Sequence, residues 1–378
     1  MSLAQPALRG ARYATLDGVR GLAILMVVLH SFSVANDPLP GIAGRLLYAG
    51  IGGGWIGVTL FFVLSGFLIT GILLDTQHER GHFRRFYLRR TLRIAPLYYG
   101  VLLVAFVVLP LAGAAPAPVR ADAPQQVWLW TYLSNWVLPF GIADHSFPHF
   151  WSLAVEEQFY LLWPLLTWRR SPHAVLRWGL ALALLAPVVR AALLLGGGTP
   201  EMVYAWSPCR MDALALGGSA AAALRLPALA AGVMARRRQL LAMAAAVFVA
   251  CVLGFHGLPR AEFAMQTLGY SLLAVSFSLL VLALACADLA GDVQPAVALW
   301  RAAPLRVLAR YSYGIYIVHK PLADGMAPLM RSLGERVLQS PAANATYFIT
   351  GLAASLALAT LSYHLYEQRF LALKAHVR

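Results

Sequence analysis

Apolar residues run along this chain in blocks of about 20, the length an α-helix needs to cross a hydrocarbon core of roughly 30 Å. About ten such blocks can be read, near 16–35, 52–74, 94–113, 150–168, 175–195, 209–224, 238–256, 264–287, 306–327 and 345–366. The sixth is short and rich in Ala and Gly, and the ninth is interrupted by "HKP". The pattern predicts an all-α, polytopic integral membrane protein of about ten transmembrane helices, forming one membrane domain over residues 1–378. The longest connection, near 114–149, carries Trp128, Trp130, Tyr132, Trp136 and Phe140, aromatic residues that suit a membrane–water interface. It is expected on the outer face, dipping partly back. No tandem or inverted repeat is visible, and nothing is left over for a separate soluble domain. Any chemistry must be built from the spans and their rims.

Composition supports this. Hydrophobic residues make up 60% of the chain and charged ones 12%, about half the share in a soluble domain. A net charge of +14 would suggest nucleic acid in a soluble protein, but here the positions of the charges matter more. Arg9, Arg12 and Arg20 precede or open the first block, and Arg80, Arg84, Arg85, Arg89, Arg90 and Arg93 crowd the connection after the second. Basic residues also follow the fourth, sixth and eighth blocks and close the chain. The alternate connections hold only Arg45, Arg120, Arg190, Arg210, Arg260, Arg331 and Arg336. Cytoplasmic connections are the basic ones, so both termini are expected in the cytoplasm, as an even number of spans requires. The partner is a lipid bilayer rather than nucleic acid. The first apolar run is too long for a cleavable signal. Cys209, Cys251 and Cys286 lie in or beside apolar runs and read as core packing, not a disulfide or metal framework.

Ionisable groups inside a bilayer cost a few kcal/mol each and usually face a partner or a wet cavity. The first span, "LDGVRGLAILMVVLHS", has Asp17 and Arg20 three apart on one helical face. His30 follows about 15 Å further along at roughly 1.5 Å per residue. Its ring suits proton transfer to or from a hydroxyl, or a plain hydrogen bond to a neighbouring helix. In "FRRFYLRRTLRIAPLYY", Arg85, Arg89 and Arg93 recur every fourth residue and Arg90 pairs with Arg93. A ladder of arginine forks could hold a ligand with several phosphates, although a cytoplasmic loop is basic in any case. "FPHFWSLAVEEQFYLLWPLL" puts Glu156, Glu157 and Gln158 in the first turns of the fourth span, flanked by His149 and Trp151. A helix N-terminus favours an acid, yet three consecutive side chains point different ways, so at least one faces a polar cavity. "CRMDALALGG" places Arg210 and Asp212 at the start of the sixth span. "RYSYGIYIVHKPL" buries His319 and Lys320 where Pro321 is expected to break the ninth. The glycines of "GIGGGWIGVTLFFVLSGFLIT" lack the lysine of a phosphate-binding loop and read as close-packing positions, Gly66 included.

Seven stretches together resemble the membrane-bound acyltransferase family 3. They are "LDGVRGLAILMVVLHSF", "GVTLFFVLSGFLIT", "FYLRRTLRIAPLYY", "FWSLAVEEQFYLLWP", "RMDALALG", "YSYGIYIVHKPL" and "SYHLYEQRF", in family order over nearly the whole chain. The resemblance implies an acyl-CoA donor, most commonly acetyl-CoA, used from the cytoplasm. It implies a carbohydrate or glycolipid hydroxyl as acceptor, such as a surface polysaccharide precursor, and a bacterial inner membrane location. His30 would be the essential histidine, acting as general base. Arg89, Arg90 and Arg93, with Arg20, would hold the coenzyme A phosphates, and Glu156, near the outer rim, would orient His30 or the acceptor. Asp17, Trp151, Arg210, Asp212 and His319 would line the cavity. A separate extracytoplasmic transfer partner, where one is needed, is another chain. Two departures stand out. The family spaces its first-span arginine and histidine one residue further apart, which would set Ser31 in the histidine's slot, about 100° around the helix. After Glu367 come Gln368 and Arg369 where the family tends to have proline at the second position. A transporter using the buried charges as a pathway is the alternative, against which the missing repeat symmetry counts.

Overall fold

The computed structural model describes residues 8, 10–33, 52–143, 145–332 and 341–377. Arg9, Arg45, Arg336 and Arg378, used in the charge pattern, lie outside them. The described residues form helices and no strands. Ten helices carry the fold: α1 (Ala14–Ser31), α2 (Ile56–Thr76), α3 (His82–Leu103), α4 (Phe150–Thr167), α5 (Pro172–Leu195), α6 (Ser207–Ala223), α7 (Arg237–Gly254), α8 (Tyr270–Leu289), α9 (Ala303–Ser332) and α10 (Pro341–Ser362).

Within the described residues, each apolar block of the sequence is therefore largely helical. Seven of these helices are long and apolar enough to cross a membrane, or up to eight if the pair Pro200–Ala223 and Pro227–Ala235, bent by 100°, counts as one span. The helices that fall short are α4, interrupted by Glu156, Glu157 and Gln158, and α9, which carries Arg306, Arg310, Lys320 and Asp324. Both wall the cavity described below: Glu156 and Glu157 of α4 face it, while Arg306 and Arg310 of α9 line a hollow beside it and Lys320 pairs with Asp324.

The centre of the bundle is α2, with 15 of its 21 residues buried; it packs on α1, α6 and α8. Small residues make this possible. A Cβ on Gly66 would overlap the Leu214 carbonyl of α6, and one on Gly217 of α6 would overlap the Val63 carbonyl of α2. The expected close-packing role of Gly66 is met by a reciprocal partner that the sequence did not single out. On one flank α9 packs against α1 and α10; on the other lie α5 and α7.

The connection before α4 folds inward. Its short helices bring Tyr132 to a stack 4.2 Å from Tyr98, while Tyr98 and Tyr99 donate to the Leu129 and Trp130 carbonyls at 2.7 and 3.1 Å. Its aromatic residues thus serve packing as well as the interface. Gln158 ties this connection to α4, donating to the Tyr132 carbonyl and to Asn135 at 2.9 and 2.8 Å.

Two expectations change. Arg190 and Arg210 do not lie in connections; both are buried within helices. And α9 is not broken at Pro321. It runs on through Pro321 and Pro328. A proline cannot donate to the carbonyl four residues back, here Ile317, and that carbonyl finds another donor in His149.

Candidate active site

A cavity of about 510 Å³ lies among α1, α2, α3, α4 and α9, toward the end of the bundle where the arginines gather. Helical spacing decides who reaches it. Asp17 and Arg20, three apart on α1, are 3.8 Å from each other and face the cavity together with Arg90 and Arg93, three apart on α3. Opposite them is Glu156 of α4. Ser65 of α2 donates to its Oε1 at 2.8 Å, and Tyr160, one turn along α4, donates to its Oε2 at 3.2 Å. Tyr160 also donates to Ser65 at 3.0 Å, and the Arg90 guanidinium lies 5.3 Å from its ring. The carboxylate is thus fixed in a closed set of hydroxyls beside arginines. Glu157 lines the same cavity, and its Oε1 is buried without a hydrogen-bond partner. The three consecutive polar residues do point three ways, two into the cavity and Gln158 out of it.

At this end of the bundle arginines fall into two kinds. Arg225 pairs with Asp75 at 2.6 Å, Arg301 with Asp288 at 2.7 Å and Arg237 with Asp292 at 3.1 Å. The Gln294 N–H and the Arg237 side chain hold the Asp292 carboxyl below the usual carboxylate range. By contrast Arg12, Arg90 and Arg93 face the cavity without a carboxylate in ion-pair contact among the described residues. Uncompensated guanidinium groups around a hollow make a site for an anion. Arg89 points elsewhere, donating to the Val377 carbonyl at 3.3 Å.

The far end of the cavity is closed by Ser152 and Tyr316, whose hydroxyls share a hydrogen bond. Directly behind them are two buried histidines. Tyr316 donates to the His149 carbonyl at 3.1 Å, and the rings of His149 and His319 are 4.9 Å apart, edge to face. The proline in α9 sets the tautomer of the first. His149 Nε2 lies 3.3 Å from the Ile317 oxygen that Pro321 leaves free. A carbonyl only accepts, so Nε2 carries the proton and Nδ1 the lone pair. That Nδ1 is buried and has no hydrogen-bond partner. His319 Nδ1 donates to the Tyr316 carbonyl at 2.7 Å. His30, exposed in the last turn of α1, lies within electrostatic range of His319 and beside Gly54. It lines neither this cavity nor the second cavity described below.

Residues 13–364 match a family model described as an acyltransferase domain. The chain belongs to the acyltransferase 3 family. Among curated proteins, this acyltransferase is 29% identical over 369 residues to the peptidoglycan O-acetyltransferase OatA of Listeria monocytogenes, covering 93% of this chain and 55% of that protein. It is 27% identical over 213 residues to the O-acetyltransferase OatA of Staphylococcus aureus, covering 53% and 33%. The chain spans about half the length of the Listeria relative. No solved structure matches. Membership, together with the apolar helices, makes it an integral membrane protein and favours group transfer over the carrier reading.

The acyltransferase cavity thus gathers Asp17, Arg20, Arg90, Arg93 and Glu156 from the residues picked out in the sequence. Glu156 is brought to the arginines rather than to His30. Trp151, Arg210 and Asp212 lie outside the cavity, in a buried cluster of their own. The Arg210 guanidinium is 4.6 Å from the Tyr270 ring, 5.4 Å from Tyr204 and 5.8 Å from Trp151, and donates to Thr59 at 2.8 Å. Asp212 pairs with Arg190 at 2.8 Å and accepts from Ser271 at 2.7 Å. Sequence reading missed Arg12, Ser65 and Tyr160 as cavity residues. Arg12 was visible only as one more basic residue. Ser65 and Tyr160 carry no signal until α2 and α4 are packed together.

Proposed function

We propose that this acyltransferase moves an acetyl group from acetyl-CoA, taken from the cytoplasm, to a hydroxyl of a carbohydrate or glycolipid acceptor at the outer face of a bacterial inner membrane. The observation that carries the reading is the cavity itself. One end is walled by arginines that outnumber the carboxylates paired with them, and the other ends at hydroxyls and histidines. Arg20, Arg90 and Arg93 bind the phosphates of the donor at the basic mouth, while Arg89, turned to the Val377 carbonyl, adds only its charge nearby. The positive-inside bias puts that mouth, and both termini, in the cytoplasm. The thioester reaches past Glu156 toward Ser152 and Tyr316, and the acceptor comes from the other side, where His30 is exposed. His30 takes the proton of the acceptor hydroxyl as its oxygen attacks the thioester carbonyl. The C–S bond then breaks, and the coenzyme A thiolate leaves and takes up a proton. Glu156 keeps the arginines oriented. A polysaccharide acceptor is supported by the names of the relatives, which include a peptidoglycan O-acetyltransferase.

The test is release of free coenzyme A from radiolabelled acetyl-CoA by the purified chain in nanodiscs, with wild type, His30→Ala and Arg90→Ala compared. Release lost in both variants, with folding intact, supports the reading. Label retained on the wild-type protein marks an acyl-enzyme relay. Wild type that neither binds nor cleaves acetyl-CoA or longer acyl-CoA donors overturns it.

A further inference from the structure

A second cavity, of about 550 Å³, adjoins the first and shares Arg12, Asp17, Arg20 and Arg93 with it. Its other wall is built by the first turns of α9 and by the segment after α10, with Arg306, Arg310, Tyr363 and Glu367. Arg306 and Arg310 are four residues apart, so α9 presents both on one face. Neither is in ion-pair contact with a carboxylate among the described residues. Arg301, only five residues earlier, has both Asp288 and the Asp292 carbonyl. The Arg310 guanidinium instead lies 5.2 Å from the Tyr363 ring.

Five arginines therefore face two carboxylates, Asp17 and Glu367, around this hollow. Like charges gathered in excess of their counter-ions repel one another, and an anionic ligand with several oxygens relieves that repulsion through bidentate contacts. The first cavity differs in character. Phe61, Phe62 and Leu68 give it an apolar side, which suits a long uncharged arm better than a nucleotide.

Resting on the acyl-CoA reading above, we infer that the second cavity holds the 3′-phosphoadenosine end of the donor, with Arg306 and Arg310 on the 3′-phosphate and Tyr363 beside the adenine. The pyrophosphate then lies at the shared wall of Arg12, Arg20 and Arg93, and the pantetheine arm runs through the first cavity toward Ser152. Arg306 and Arg310 thereby select coenzyme A over donors that lack the 3′-phosphate.

The experiment is displacement of tritiated acetyl-CoA from the full chain in nanodiscs by CoA, 3′-dephospho-CoA and 3′,5′-ADP. Wild type is expected to bind CoA about tenfold or more tighter than dephospho-CoA, since one doubly hydrogen-bonded phosphate is at stake. The double variant Arg306→Gln/Arg310→Gln should bind CoA only as well as wild type binds dephospho-CoA, with dephospho-CoA affinity unchanged. Should the double variant not fold, the single variants carry the test, each losing part of the preference. Arg237→Gln, at an arginine paired with Asp292 outside both cavities, should keep it in full. A wild type that binds CoA and dephospho-CoA equally overturns the inference while leaving the donor reading standing. So does a folded double variant that keeps the preference, or an Arg237→Gln variant that loses as much. Wild type that binds no acetyl-CoA at all removes the donor reading, and this inference with it.

Discussion

Arg190 is wholly buried, and its Nη1 donates to Asp212 and to the Cys209 carbonyl at 2.8 and 2.6 Å, while Nη2 donates to Ser271 and the Thr267 carbonyl at 2.6 and 3.1 Å. Taking two charges out of water is costly, and removing one partner strands the other. Asp212→Asn is therefore expected to lower stability by about 3 kcal/mol, read as a drop in thermal unfolding temperature in detergent. A melting curve unchanged from wild type would show that the pair contributes nothing. Arg90 behaves differently because it already lacks a carboxylate in ion-pair contact among the described residues. Arg90→Ala should leave the melting curve close to wild type and raise the KM for acetyl-CoA about tenfold or more, since a charge-assisted hydrogen bond is worth roughly 1.5–3 kcal/mol. A fall in stability without a change in KM would reassign Arg90 to structure. Sequence patterning marked both residues as charged groups in or near spans. It could not separate them, because the difference lies in what stands opposite each guanidinium.

Among the elements, α9 is the one whose sequence misleads most. A proline at 321 is read as a break, yet the helix continues because the side chain of His149, just before α4, takes up the freed carbonyl. Pro321→Ala restores an N–H to the Ile317 oxygen and takes the acceptor from His149. The expected result is unchanged or higher thermal stability, since alanine is the better helix former. The Nε2–H signature of His149 should be lost from ¹⁵N-histidine spectra. A retained signature would mean that the proline does not set this tautomer. The crossing of α2 and α6 rests on the opposite kind of residue. Gly66→Leu forces a side chain into the Leu214 backbone and should cost about 1–3 kcal/mol or more in stability. Gly232→Ala, with nothing within 4 Å of its Cβ, should fold like wild type. Equal behaviour of the two would remove the packing argument. Gly66 was legible as a small residue in an apolar helix, but its partner Gly217 was not, since pairing depends on which helices touch.

At the scale of the whole molecule, the arginines define an end. The cavity-lining arginines and the ion-paired Arg225, Arg237 and Arg301 gather there, and His30 and the connection before α4 lie at the other. On the positive-inside reading proposed above, the basic end is expected in the cytoplasm. Cysteines introduced at exposed His173 and exposed Ala114 test it. With a membrane-impermeant maleimide on intact cells, Ala114→Cys should label and His173→Cys should label only after permeabilisation. The reverse pattern would invert the molecule and put the arginine cavity on the side without acyl-CoA.

The sequence by itself determined that the chain is helical, that it belongs in a bilayer and which of its residues are too polar for lipid. Those properties follow from hydrophobic length and the cost of burying charge, which are local. It also marked Asp17, Arg20, Arg90, Arg93 and Glu156, because residue spacing on a single helix fixes a shared face. Only the tertiary structure decided which polar residues meet. Ser65 and Tyr160 close around Glu156, His149 answers Pro321, Arg190 neutralises Asp212, and Arg306 and Arg310 beside a second cavity make no ion pair among the described residues. Each of these outcomes depends on atoms from helices far apart in the chain, whose contacts are set by close packing at a few small residues and not by any local pattern.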